Sequence, residues 1–299
     1  MIPVKLTVFT PTYNRAYCLH RVYESLCGQE NKGFVWLVID DGSTDKTNEL
    51  VGRWKEEGKI NIEYIYQENG GMHSTYNTAY ANCRTELITC IDSDDYLADG
   101  AVEKILGFWK KYGSNKYAGI VGLDANFEGR IIGKQFPMGL KSSNLEDLYE
   151  KHKIPGDKKL VYRTEMVKKY PPYPSFEGEN FVPHGSLFIQ IDQDYELLLL
   201  NEVLVNVEYQ QDGSTRNMFK QYRRHPQGWR YGRLVTINHT KYFKKRFINL
   251  IHLASTRIQL RDYNFLDGHH HPFLALASLP FGIILYFYIR YKNSNFSNK

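Results

Sequence analysis

Two clusters of carboxylates carry the chemistry within reach of this chain. Ile91-Asp92-Ser93-Asp94-Asp95 closes one apolar run, and Val38-Ile39-Asp40-Asp41-Gly42-Ser43 closes another. A hard divalent cation takes oxygen ligands and a diphosphate needs its charge neutralised, so acidic strand ends of this kind suit a metal together with a polar, anionic ligand. Without a cation between them, two carboxylates would repel a diphosphate. Neither G-x-x-x-x-G-K-[ST] nor G-x-G-x-x-G follows the first apolar run, which counts against a P-loop enzyme and a dinucleotide oxidoreductase.

The elements that must position these residues alternate. Leu6–Phe9, Phe34–Ile39, Ile62–Tyr66, Leu87–Ile91 and Ala118–Gly122 read as strands, and segments near 18–28, 44–57, 73–83 and 98–112 read as helices, the second capped by Ser43 or Thr44. Such alternation predicts an α/β fold with a mainly parallel sheet flanked by helices and joined by right-handed crossovers. Ligands bind such sheets beyond the carboxyl ends of the strands. Thr10 to Asn14, Asp40-Asp41 and Asp92 to Asp94 all fall there.

The 299 residues are 42% hydrophobic and 14% aromatic, enough for one large globular domain with an appendage. Cys18, Cys27, Cys83 and Cys90 form no Cys-x-x-Cys pair, so neither a zinc site nor a disulfide framework is expected, only free thiols in a reducing compartment. Met1 to Lys5 is not a charged leader followed by an apolar stretch, which predicts a cytoplasmic start. The net charge of +5 is segregated: residues 1–214 carry 23 basic against 31 acidic side chains, whereas 215–261 hold twelve Lys and Arg and no Asp or Glu. A domain at 1–214 and a basic, aromatic extension at 215–299 follow. Within that extension, 273–289 is apolar apart from Ser278 and is fringed by Tyr286, Tyr288, Tyr291, Arg290 and Lys292. This pattern predicts contact with a membrane surface, as a span or as an in-plane segment because Pro280 and Gly282 interrupt it, with a buried core helix as the alternative.

Four motifs in order carry a family resemblance: Thr10-Pro11-Thr12-Tyr13-Asn14-Arg15, Asp40-Asp41-Gly42-Ser43-Thr44-Asp45, Asn69-Gly70-Gly71 through Asn77, and Asp92-Ser93-Asp94-Asp95. Together they resemble the inverting glycosyltransferases of family two, which have the Rossmann-like GT-A fold. The resemblance implies transfer of one sugar from a nucleotide diphosphate donor, usually a UDP-sugar, with Mn²⁺ or Mg²⁺. It implies that Pro11, Thr12, Tyr13 and Asp41 form the nucleoside pocket, with Asn69 beside it. Asp92 and Ser93 would face the ribose or a metal-bound water, and Asp94 would bind the metal. An inverting transfer also needs a general base. Glu179, in Ser175-Phe176-Glu177-Gly178-Glu179-Asn180-Phe181-Val182-Pro183, stands in the matching place, with Glu177 as the alternative, and its aromatic flanks would desolvate it.

Some residues depart from the family pattern. Met72 stands where many relatives have Lys, leaving a cationic contact missing or supplied by His73, and His184 stands where many have an acidic residue. Gln221-Tyr222-Arg223-Arg224-His225 is one residue short of the Gln-x-x-Arg-Trp motif of processive synthases, which favours a single addition. A polyprenyl-diphosphate-linked glycan is the expected acceptor, at the cytoplasmic face of the membrane, in capsule or O-antigen assembly; no nucleic acid partner is expected. The alternatives are a sugar nucleotidyltransferase, for which Thr10 to Arg15 lacks a Lys-bearing Gly-rich loop, and a non-catalytic protein binding RNA or anionic lipid.

Overall fold

The computed structural model describes residues 4–208 and 218–296. Its contacts divide into two compact units, residues 1–172 with 194–210, and residues 173–193 with 211–299. The boundary expected at 214/215 lies within 209–217, outside the described residues. Segment 173–193, expected in the first domain, groups with the C-terminal helices.

The first unit holds a sheet of nine strands: β1 (Leu6–Thr12), β2 (Phe34–Asp40), β3 (Ile62–Tyr66), β4 (Leu87–Cys90), β5 (Tyr96–Leu97), β6 (Tyr117–Asn126), β7 (Ser142–Ser143), β8 (Lys158–Arg163) and β9 (Glu196–Val207). The order is β3-β2-β1-β4-β8-β6-β9-β5, with β7 also on β9. β3, β2, β1 and β4 pair in parallel; β8 runs antiparallel between β4 and β6, and β9 rejoins β6 in parallel. β1 to β4, β6 and β9 therefore all point the same way, as the mainly parallel expectation requires, and β8 reverses the ladder.

Every residue of β1 and β2 is buried, because both faces of a parallel sheet are covered by crossover helices. Those helices are α1 (His20–Cys27), α2 (Thr47–Glu57), α3 (Met72–Asn82) and α4 (Ala101–Tyr112). Tyr23 of α1 stacks on Trp54 of α2 at 4.4 Å between ring centroids, and Trp36 of β2 lies 5.8 Å from Trp54. Trp36 Nε1 donates to Thr10 Oγ1 at 3.0 Å, which satisfies the one polar atom of a fully buried indole. This cluster fixes β1 and β2 in register and so fixes the loops at their carboxyl ends. α2 begins later than expected, at Thr47, because Asp45 rather than Ser43 or Thr44 accepts its first free amide, Thr47 N, at 3.0 Å. Two short helices, α5 (Leu145–Glu150) and α6 (Thr164–Lys169), complete the unit.

The second unit comprises α7 (Gly185–Ile191), α8 (Met218–Arg224), α9 (Pro226–His239), α10 (Phe243–Leu260) and α11 (Pro272–Phe296). α11 packs on α10 through a stripe of small residues, Ala275, Ser278 and Gly282. A Cβ on Gly282 would lie 2.5 Å from Ala254 Cβ and 3.0 Å from the Ile251 carbonyl, so the two backbones approach as closely as glycine permits. The large apolar side chains of α11, among them Phe281, Ile284 and Phe287, face outward instead.

Candidate active site

The loops after β1, β2, β3 and β4 meet along the carboxyl edge of the sheet, and one side chain ties the first two of them together. Asn14 Oδ1, after β1, accepts the amides of Thr44 at 2.7 Å and Asp45 at 3.2 Å, while Asn14 N donates to Ser43 Oγ at 2.8 Å. Asn14 has φ +53, a left-handed conformation that asparagine tolerates. In return Asp45 accepts from Ala16 N, and these amide bonds and the one from the Thr47 hydroxyl outweigh desolvation and hold its carboxyl below the usual range.

Asp41 extends the tie to the loop after β3. Its Oδ1 accepts from Gln67 Nε2 at 2.7 Å and Gly70 N at 3.0 Å, its Oδ2 accepts from Gly71 N at 2.8 Å, and its own carbonyl accepts from Asn69 Nδ2. The carboxylate expected to meet a nucleobase is thus also the organiser of the Asn69-Gly70-Gly71 turn. Asp40, fully buried, accepts from Ser43 N and from the Tyr64 hydroxyl at 2.6 Å.

Burial sorts the expected site residues of this unit into two sets. Pro11, Thr12, Asp41 and Ser93 are buried; Tyr13, Asn69, Asp92 and Asp94 reach solvent. Tyr13 is half exposed beside that edge. Met72 opens α3 and is exposed, whereas His73 is buried, so the imidazole does not present a cation to solvent in place of the missing lysine.

Positive charge reaches the acidic motif from elsewhere. Arg15 lies 4.0 Å from Asp94 Oδ2, and Lys159, at the start of β8, donates to the Cys90 carbonyl at 3.0 Å. Burial opposes the lysine's charge, but Asp124, Cys90, Asp92 and Asp95 together push its pKa up. Asp95 is buried, its Oδ1 accepting from Glu208 N at 3.2 Å; burial first, then Asp92, Asp94 and Asp124 against the pull of Lys159, raise its pKa to about 8. The motif is therefore divided: Asp95 is held inside, and Asp92 and Asp94 reach solvent with their carboxyl oxygens. Among the described residues no three ligating side chains cluster into a metal cage. One or two carboxylates completed by phosphate oxygens and water are the usual provision for Mg²⁺ at a phosphate-bearing ligand, and Asp92 with Asp94 fit that donor set.

Glu179 lies in the second unit. Its Oε1 accepts from Gln227 N at 2.8 Å and its Oε2 from Gly228 N at 2.9 Å, so the carboxylate caps the first turn of α9. Phe181 packs beside it against Trp229 and His225, with centroids 5.1 and 5.9 Å apart. His225, where the processive motif has Trp, has its pKa lowered by burial, with Glu179 opposing. Glu177 is exposed, and His184 precedes α7 with its carbonyl accepting from the Tyr173 hydroxyl. Sequence reasoning missed the capping role of Glu179, although Pro226 at the helix start was a readable sign of a nearby helix N-terminus.

Comparison with known proteins decides the lineage. Residues 7–170 match the family model described as Glycosyl transferase family 2. The chain belongs to that family. Glycosyltransferase GlyA of Streptococcus pneumoniae is 30% identical over 156 residues, 50% of this chain but 22% of GlyA. The chain thus matches about a fifth of that relative's length. Staphylococcus aureus TarS residues 1–349, solved in complex with UDP-GlcNAc, superposes with a TM-score of 0.59 at 19% identity, covering 88% of this chain and 74% of TarS. The mannosyltransferase PcManGT of Pyrobaculum calidifontis, solved with GDP-Man and Mn²⁺, gives 0.58 at 15% identity over 98% of this chain and 84% of that one. At these identities the likeness is one of fold, and the fold is the family's GT-A arrangement. Met72, His184 and His225 remain this chain's own departures within it.

Proposed function

We propose that this protein is an inverting glycosyltransferase moving one hexosyl or N-acetylhexosaminyl residue from a UDP-sugar to a hydroxyl of a lipid-linked glycan. The observation that carries the proposal is the division of the acidic motif, with Asp92 and Asp94 open at the end of β4 beside an edge built by Asp41 and fronted by Tyr13. In this reading Tyr13 lies against the base. Asp41 holds the Asn69 turn and uses a remaining lone pair on Oδ2 for the uracil N–H. Pro11 and Thr12 form the floor, Asp92 and Ser93 line the ribose side, and Asp94, with Asp92, would hold Mn²⁺ or Mg²⁺. That ion would neutralise the leaving diphosphate when bound. The complexes of TarS with UDP-GlcNAc and of PcManGT with GDP-Man and Mn²⁺ support a nucleotide-sugar donor.

The chemistry is one displacement. The acceptor oxygen forms its bond to the anomeric carbon as the bond from that carbon to the diphosphate oxygen breaks, and the electron pair leaves with UDP. Glu179 takes the acceptor proton; each of its oxygens accepts one amide and keeps a second lone pair. The charge-segregated second unit docks on the membrane's cytoplasmic face. A helix whose small residues face the protein and whose Phe and Ile face outward is arranged for lipid, since lipid supplies the apolar surroundings that a soluble core would otherwise provide. Residues 272–292 are long and apolar enough to cross or lie in a bilayer.

Turnover of UDP-GlcNAc, UDP-Glc and UDP-Gal with Mn²⁺, followed by proton NMR, tests the proposal. The expected product carries the anomeric configuration opposite to the donor's; retention of configuration, or no turnover of any of the three, would overturn it.

A further inference from the structure

Along the carboxyl edge of the sheet, the loops read in spatial order. The nucleoside side is formed after β3, β2 and β1, the metal motif follows β4, and beyond it the β6–β9 ladder ends at the pair Asn126 and Val207. Just past that end lies a cavity of about 540 Å³, lined by Asn126, Phe127, Arg130, Ile131, Val207 and Glu208. It falls in the size range of small-molecule sites, about 300–1,000 Å³. Resting on the glycosyltransferase reading, we propose that this cavity is the acceptor subsite and that it takes an uncharged sugar ring stacked on Phe127.

The wall of the cavity is built rather than loose. Asn126 Oδ1 accepts from Glu128 N and Arg130 N, Asn126 N donates to the Arg130 carbonyl at 2.9 Å, and Ile132 N donates to the Asp124 carbonyl at 2.8 Å. Gly129, with φ +76, makes the turn between them. This tight hairpin holds Phe127 68% exposed, so that a face of its ring is open to a ligand. Charges at the rim are already matched, Arg130 with Glu128 and Arg21 with Glu208. The lining therefore offers an aromatic face, aliphatic walls and neutralised polar groups, which suit the C–H face and hydroxyls of a neutral sugar better than a phosphate.

The cavity is also joined to the metal motif. Glu208 N, on its wall, donates to Asp95 Oδ1 at 3.2 Å, and the hairpin leaves β6 two residues after Asp124. β6 and β9 stand two and three strands from β4, about 10–15 Å at the usual spacing. Its place beside the metal motif, on the side away from the nucleoside loops, is the reason for assigning the cavity to the acceptor.

Saturation-transfer NMR with methyl β-D-glucopyranoside, methyl β-D-galactopyranoside and methyl N-acetyl-β-D-glucosaminide, each with UDP and Mn²⁺ present, tests this. At least one glycoside is expected to bind the wild type, to weaken about fivefold in Phe127→Ala as expected for a lost aromatic contact, and to recover in Phe127→Trp. UDP affinity stays unchanged throughout, and the melting temperature of Phe127→Ala is unchanged because the ring packs on nothing essential. UDP binding without any glycoside binding, or with glycoside binding indifferent to Phe127→Ala, would overturn the subsite alone. A wild type that binds no UDP would overturn the donor reading and the acceptor assignment with it.

Discussion

Gly71 donates its amide to Asp41 Oδ2 across 2.8 Å, and through that bond a carboxylate at the end of β2 fixes the start of α3. Asp41 receives three such bonds, so Asp41→Ala strands the Gly70 and Gly71 amides and leaves Gln67 Nε2 with Ser74 Oγ as its acceptor. A hydrogen bond to a charged group contributes about 1.5–3 kcal/mol, and the bonds are coupled, so the expected loss of stability is roughly 2–5 kcal/mol. Urea unfolding measures it, and Asp41→Asn, which keeps one acceptor oxygen, should fall between. A loss below about 0.5 kcal/mol, ordinary for a surface change, would mean the turn does not depend on this carboxylate.

Glu179 is expected to show two separable effects. As the cap of α9 its replacement by Ala should cost about 1–2 kcal/mol, while Glu179→Gln, still able to accept one amide, should cost less. As the proposed base, Glu179→Gln should nevertheless lower kcat by about 10²–10⁴ with UDP affinity intact. A Glu179→Gln enzyme that turns over at the wild-type rate assigns the residue to capping alone.

Much of this was readable in advance, for definite reasons. β1 and β2 are largely apolar runs closed by polar residues, and their burial on both faces leaves no competing period. The Asp92 to Asp95 motif was legible as acid, but not its division, because only packing against β6 and β8 decides which carboxylate is buried. Asp41 and Glu179 read as ligand and base; that both also accept backbone amides depends on turns 29 to 49 residues away. The cavity at the end of the β6–β9 ladder was invisible because its residues carry no motif.

Stability should respond to pH through Asp124. It is buried with Oδ1 unpartnered, and burial, with Lys159 opposing and Asp157 adding, raises its pKa to about 6. A carboxyl raised in the folded state favours folding at low pH and works against it once ionised. Its contribution therefore falls as pH rises from about 4, the unfolded value, to about 6, and is constant above, a span of roughly 3 kcal/mol. Chemical denaturation of Asp124→Asn should remove this slope between those pH values, and an identical pH dependence in both proteins would contradict the assignment.

The membrane reading predicts opposite outcomes on the two faces of α11. Ile284→Asn with Phe287→Asn, both on the outward face, should leave the melting temperature unchanged and reduce flotation with phosphatidylglycerol vesicles by about tenfold or more, as expected when two buried apolar side chains are lost. Gly282→Leu, whose side chain must enter Ala254 and the Ile251 carbonyl, should instead unfold the α10–α11 pair. Undiminished flotation of the double variant would place the lipid contact elsewhere.

The central claim is a metal-assisted UDP-sugar site at Asp94, and calorimetric titration of UDP with and without Mn²⁺, into wild type and Asp94→Ala, tests it most directly. Asp94 is part-exposed, and its pairing with Arg15 at 4.0 Å is of surface strength, so the variant should fold with stability within about 1 kcal/mol of wild type. The account predicts Mn²⁺-dependent UDP binding in the wild type and its loss in the folded variant. UDP binding of equal strength with and without Mn²⁺, or preserved in Asp94→Ala, would contradict it.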